Sequence, residues 1–231
     1  MKRFVSLGLV TVFVLSMMVF VSPTSTNGQG AGLVSSVLNR LEKNRASLKS
    51  LRAGIYIEKY NSQIRTKDSS SGVVLYLPGA GRNASVRIDW TSPRQETLAV
   101  SKGQYTLFRP KLGVAYKGDS SKAPSSGGLI DMMNMSRAQL ETRFQPLQDV
   151  REETIGGGVS TIHLTLVPKG NASYKYAEVW IDAGGMPIQT KIVEKNDDST
   201  TMRLTRLEKN VQLSQGEFEL KLDSNIKIVK S

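Results

Sequence analysis

Residues 180–194 read WIDAGGMPIQTKIVE. Ala177, Val179 and Ile181 alternate with polar or aromatic neighbours before the pair Gly184-Gly185, and Ile188 and Ile192 follow it. Successive strand side chains point to opposite faces, so the pattern predicts two antiparallel strands joined by a tight reversal. Gly184 and Gly185 can take the positive backbone angles that such a turn uses. Pro187 falls at a strand start, where a missing N–H does least harm. Val179, Ile181, Ile188 and Ile192 then share one surface, and Trp180 and Val193 lie on the other.

The same period of two recurs along the chain. Ala53, Ile55 and Ile57 form one such row, Val73, Leu75 and Leu77 a second, and Val86, Ile88 and Trp90 a third. Leu98 and Val100 lead into the turn Ser101-Lys102-Gly103, followed by strands at Tyr105–Phe108 and Gly113–Lys117. Further on, Ile162, Leu164 and Leu166 alternate with Thr161, His163 and Thr165. Short strands separated by glycine, proline and asparagine turns predict an antiparallel sheet large enough to curl.

Two segments break this period. Residues 33–51, LVSSVLNRLEKNRASLKSL, place Val34, Val37, Leu38, Leu41 and Leu48 at helical spacing. That is an amphipathic helix with one apolar stripe. Residues 118–147 open with the polar, glycine-rich GDSSKAPSSGG and continue as GLIDMMNMSRAQLETRF, which predicts a loop and then two short helices. Ser136 and Gln139 form a capping-box pair for the second helix. Leu129, Met132, Met133 and Met135 cluster ahead of that cap, and Leu140 and Phe144 follow it one turn apart. Methionine adapts to irregular apolar shapes, so this cluster suits either plain helix-on-sheet packing or a movable apolar flap.

The chain has 231 residues, no cysteine, and a formal net charge of +11. Lys2 and Arg3, then an apolar run from Phe4 to Val21, then a small polar stretch, have the order of a secretory signal peptide. Residues 1–30 are read as that signal, with retention as an anchor the alternative, and residues 31–231 as one domain. With Lys2 and Arg3 gone and no acid lost, +9 remains. Such an excess favours acidic partners or simply aids solubility. Lysine and arginine are spread evenly without a basic and aromatic tract, which argues against nucleic acid.

Catalytic chemistry finds little to stand on. The absence of cysteine excludes disulfides, thiolate nucleophiles and thiolate metal sites. His163 is the single histidine, and no GxSxG elbow accompanies it. Asn196-Asp197-Asp198-Ser199 carries oxygen ligands but reads as a hairpin turn. Glu152 and Glu153 are adjacent, so on a strand they point apart. Neither an enzyme nor a cofactor is expected.

Three stretches together resemble the periplasmic outer-membrane lipoprotein carrier proteins (LolA). LNRLEKNRASLKSLRAGI looks like that family's first helix entering its first strand, and residues 86–110, VRIDWTSPRQETLAVSKGQYTLFRP, resemble its central hairpins. Residues 179–210 are similar to its late hairpins, with Phe218 beyond. The resemblance implies an α+β, mainly β single domain: a strongly curved, incomplete antiparallel β-barrel, with the N-terminal helix and short lid helices over its open mouth. It further implies a monomeric periplasmic carrier. Acyl chains of lipoproteins would pass from an inner-membrane lipoprotein-releasing transporter to an outer-membrane receptor, without cofactor. Leu129, Met132, Met133, Met135, Leu140, Phe144, Ile88 and Trp90 are the expected chain contacts. Family members often carry a lid-latching arginine before a proline. Here that place holds Leu77, leaving Arg87 and Arg82 as latch candidates, and the family's turn aspartate is Lys102. A lipid-sensing regulatory protein built on the same fold is the alternative.

Overall fold

The computed structural model describes residues 27–79, 84–123 and 129–230. Residues 1–26 of the expected signal peptide, and Arg82, lie outside the described residues. The first element, α1 (Asn27–Ser47), starts ahead of the apolar stripe and includes the last residues assigned to the signal. Six strands follow: β1 (Leu51–Asn61), β2 (Thr66–Leu77), β3 (Ser85–Ser92), β4 (Glu96–Ser101), β5 (Gln104–Arg109) and β6 (Val114–Asp119). Two short helices, α2 (Leu129–Asn134) and α3 (Arg137–Arg143), come next. The chain then returns to strands β7 (Gln148–Ile155), β8 (Val159–Leu166), β9 (Tyr174–Asp182), β10 (Pro187–Glu194) and β11 (Ser199–Lys209). A 3-10 turn at Gln215–Phe218 and a last strand, β12 (Lys227–Lys230), complete the described chain.

All twelve strands join one sheet in the order β12-β6-β5-β4-β3-β2-β1-β11-β10-β9-β8-β7. Every pairing is antiparallel except β12 beside β6. The sheet curls strongly yet stays unclosed, with β7 and β12 as its edges. The β7 edge carries Arg151, Glu152 and Glu153, and charges on an edge discourage strand addition from another chain.

The opening hairpin forms as its sequence predicts. Val179 pairs with Thr190 and Ala177 with Ile192, which puts them on one face with Ile181, while a register shift between Pro187 and Gln189 leaves Ile188 without a partner on β9. Its two glycines, however, differ. Gly185 alone has a positive φ, +83°, and a Cβ there would stand 2.1 Å from the Arg40 carbonyl oxygen of α1. The turn is thus pressed against the helix backbone. Asn44 of α1 reinforces the contact, donating to the Met186 sulfur at 3.4 Å and accepting from Lys209 at 3.1 Å.

Curvature has a local cause on β2. The β2–β3 register shifts between Ser71 and Gly72. A Cβ at Gly72 would lie 2.2 Å from the Asp89 carbonyl oxygen, so only glycine admits that approach.

The apolar interior divides into two clusters. One joins Leu51, Ala53, Ile55 and Ile57 of β1 with Val74, Tyr76, Ile88, Leu98 and Leu107 of the following strands. The other packs Val37 and Leu38 of α1, Leu140 and Phe144 of the α3 segment against Ile162, Leu164, Leu166, Val179 and Ile181.

Arg87 faces away from Ile88, on the outer side of β3. Its Nε donates to Asp89 at 2.9 Å, and its Nη1 donates to the Glu217 carbonyl at 3.0 Å. That carbonyl belongs to the 3-10 turn which carries the fully buried Phe218. Replacing Arg87 by alanine is expected to cost about 1 kcal/mol, the net worth of a partly solvated hydrogen bond. Urea denaturation measures it, and faster proteolysis of residues 219–230 should accompany it.

Candidate functional site

The inward phase of β1 runs Leu51, Ala53, Ile55, Ile57 and then Lys59. Its neighbours present Met202 across from Ile57 on β11, and Thr190 across from Met202 on β10. On the other flank, Tyr76 meets Val86, Val74 meets Ile88, and Ile88 meets Leu98. The result is a continuous trough whose floor changes from apolar to polar towards the β1–β2 turn.

The short helices sit across this trough. Ser136 caps α3 with the expected reciprocal box: its Oγ accepts from the Gln139 amide at 3.2 Å, and Gln139 Oε1 accepts from the Ser136 amide at 2.9 Å. Tyr76 of the floor donates its hydroxyl hydrogen to Asn134 at the end of α2. Glu42 of α1 accepts from the Arg137 amide at 3.4 Å, joining α1 to the start of α3. The Arg45 guanidinium beside Glu42 holds its carboxyl below the usual value. Beyond α3, Phe144 bridges to Pro168. Backbone bonds from Gln145 to the Val167 carbonyl and from Lys169 to the Arg143 carbonyl add to these ties, and Met132, Met133, Leu140 and Phe144 are buried beneath the cover.

Two hollows open along the trough, the larger beneath the cover. The larger, about 900 Å³, is lined by Met132, Met135 and Phe144 above and by Ala177, Val179, Thr190 and Ile192 below. The smaller, about 310 Å³, is lined by Ile88, Trp90, Leu98 and Leu107. Ile57 and Lys59 border both, so the hollows adjoin on β1. Volumes of this order are typical of small-molecule sites.

Of the residues expected to contact a chain, Met132, Met135 and Phe144 thus face the larger hollow, and Ile88 and Trp90 the smaller. Met133 and Leu140 are buried in the packing between helices and sheet instead and line neither hollow. Leu129 opens α2, but its side chain lies outside the described part of the structure. Sequence reasoning passes over the polar wall residues Lys59, Thr190, Thr200 and Arg109. Their signal is position: each stands in the inward phase of a strand whose other inward residues are apolar.

The polar candidates have structural employment. His163 is fully buried on the outer face, with its ring 4.8 Å from that of Trp180 and its Nδ1 3.2 Å from the Asp149 carbonyl. Trp180 donates to Glu153 at 3.0 Å. Asp198 accepts from the Ser62 amide at 2.8 Å and from Asn196, stitching the β10–β11 turn to the β1–β2 turn. The Ser62 amide is the main reason its carboxyl stays below the usual value.

The family model described as outer membrane lipoprotein carrier protein LolA matches residues 64–221. Comparison with curated protein sequences gives no match. Among solved structures, a conserved protein from Thermus thermophilus superposes with a TM-score of 0.54 at 12% identity, covering 85% of this chain and 98% of that one. LprF from Mycobacterium bovis gives 0.50 at 11% identity, covering 80% and 95%. The MucA/MucB complex of Pseudomonas aeruginosa gives 0.51 at 13% identity, covering 85% of this chain but 63% of that one. At such identities the likeness is one of fold.

Proposed function

The chain belongs to the outer membrane lipoprotein carrier protein family, and from that premise we propose that it is a periplasmic carrier which shields the acyl chains of lipoproteins in its trough. The observation that carries the reading is the pair of adjoining hollows on the inner face of the sheet, each with apolar side chains in its wall, the larger of them reached from above by Met132, Met135 and Phe144. Each methylene moved from water into such a wall gains roughly 0.8 kcal/mol, so affinity accrues along a chain without any covalent step. Release then needs only that the cover shift. The family's description is of a carrier, not a catalyst.

In this reading residues 1–30 direct export and residues 31–231 form the working domain. Cargo arrives from an inner-membrane lipoprotein-releasing transporter and leaves to an outer-membrane receptor. Met132, Met135, Phe144, Ile88 and Trp90 touch the chains, with Met133 and Leu140 seating the cover from beneath. No helix among the described residues is long and apolar enough to cross a membrane.

A second reading is a periplasmic lipid-sensing regulator, favoured by the fold shared with MucB, solved in complex with MucA. Purification from the native periplasm, followed by lipid extraction and mass spectrometry, separates the two. Acylated protein or lipid recovered with the chain supports the carrier. A stable complex with a membrane-anchored regulator and no acyl cargo supports the sensor.

A further inference from the structure

The trough has a charge pattern that apolar chains alone do not explain. Lys59 continues the inward phase of β1 directly after Ile57 and borders both hollows. It has no hydrogen-bond or ion-pair partner among the described residues. Asp68 stands across from it on β2 and Thr200 on β11, and neither bonds to it. On the outer face of the same hairpin the opposite holds: Lys67 is paired with Glu58 at 2.9 Å. The outward cation is neutralised and the inward one is left open.

Other cations converge on the same walls. Arg143 and Lys169 line the larger hollow, and Arg94 and Arg109 the smaller. Two carboxylates share these walls, Glu194 and Glu96. Glu96 and Arg109 engage each other at 3.3 Å, and Lys169 donates to the Glu141 carbonyl at 2.7 Å. Against five cations, two acids leave a net positive charge on the walls of two hollows whose lining mixes apolar and polar side chains. A ligand made only of hydrocarbon, or ending in a neutral ester, gains nothing from this arrangement.

We infer that the trough accepts a lipid with an anionic phosphate head group, seated on Lys59 where the two hollows meet, with acyl chains running into the hollows on either side. This rests on the carrier reading and names the class of molecule the same site prefers. An ionised phosphate accepts charge-assisted hydrogen bonds from ammonium and guanidinium groups, which are about twice as strong as neutral ones. Apolar burial supplies the bulk of the affinity and the cations supply the choice among head groups, the usual division between hydrophobic and electrostatic contributions. The position of Lys59 between the hollows also lets the chains of one lipid part on either side of its head.

Fluorescent phosphatidylglycerol, phosphatidylcholine and diacylglycerol with identical chains test this by titration against the full mature protein. Phosphatidylglycerol is expected to bind roughly tenfold tighter than diacylglycerol. The preference should shrink as salt rises, because the cations lie near solvent. Lys59→Gln should bring the two lipids within about twofold of each other without changing the thermal midpoint, since Lys59 is exposed. Lys59→Glu should favour the neutral lipid. Equal binding of all three lipids by the unmodified protein overturns the inference and leaves the carrier reading standing. A preference that survives Lys59→Gln overturns the placement on Lys59. Failure of every lipid to bind removes the carrier reading and this inference with it.

Discussion

Ala177→Trp should reduce acyl-chain uptake by at least tenfold while the protein stays folded. Ala177 lines the larger hollow, between Val179 and Tyr174 on β9. A tryptophan there projects into empty space, so the overpacking penalty of a filled core, about 1–3 kcal/mol, is at its lower end. The indole takes the room of several methylenes. Excluding three of them forfeits about 2.4 kcal/mol, or roughly fiftyfold in affinity. Titration with a fluorescent fatty acid gives the loss, and circular dichroism with a thermal melt gives the control. Undiminished uptake by a folded variant would place the chains elsewhere and remove the larger hollow from the mechanism.

Gly185→Ala should destabilise the fold by about 3 kcal/mol. Part of this is the left-handed backbone, which costs an L-residue roughly 1–2 kcal/mol. The rest is collision: the new methyl would sit 2.1 Å from the carbonyl oxygen of Arg40 and 2.4 Å from its carbon. Neither atom is the flexible end of a side chain, so α1 must lift or the turn must deform. Lifting α1 uncovers Val37 and Leu38, both buried against β8 and β9. Gly184→Ala provides the comparison, because its nearest neighbour is the Asp182 side chain at 3.3 Å and its φ is not left-handed. That change should cost under about 1 kcal/mol. Equal effects in urea denaturation would show that turn entropy, not contact with α1, makes glycine necessary.

These two glycines also mark how far a sequence can be read. Alternation locates both strands of the hairpin and the face each residue takes, because one face is buried and the period of two is then forced. It cannot tell Gly184 from Gly185, since the helix that presses on one of them is more than a hundred residues away in the chain. The cap of α3 is legible for the converse reason: Ser136 and Gln139 are three residues apart and satisfy each other locally. The first half of β2, TKDSSS, escapes the pattern because it extends the hairpin with β1 beyond the apolar floor, where both faces are polar. β12 escapes it because its four residues gain their place by pairing with β6.

The candidate site divides in the same way. Apolar lining at Met132, Met135, Phe144, Ile88 and Trp90 follows from pattern and resemblance. The cationic wall does not, although its first member is visible in the row Ala53, Ile55, Ile57, where the next inward position is a lysine. Recognising it requires knowing that β1 lies at the middle of the sheet, with a hollow on each side. Arg87 shows the reverse limit. Its arginine identity is informative, but the carbonyl it reaches, that of Glu217, lies 130 residues downstream.

Met132 and Met133 are consecutive on α2, yet one belongs to the cluster under α1 and α3 and the other to the cluster on β1–β5. A six-residue helix is too short to bend between them. Turning it to withdraw one thioether therefore pulls the other from its seat in the same movement. The two apolar clusters share a single rigid cleat, so they unfasten together instead of one after the other.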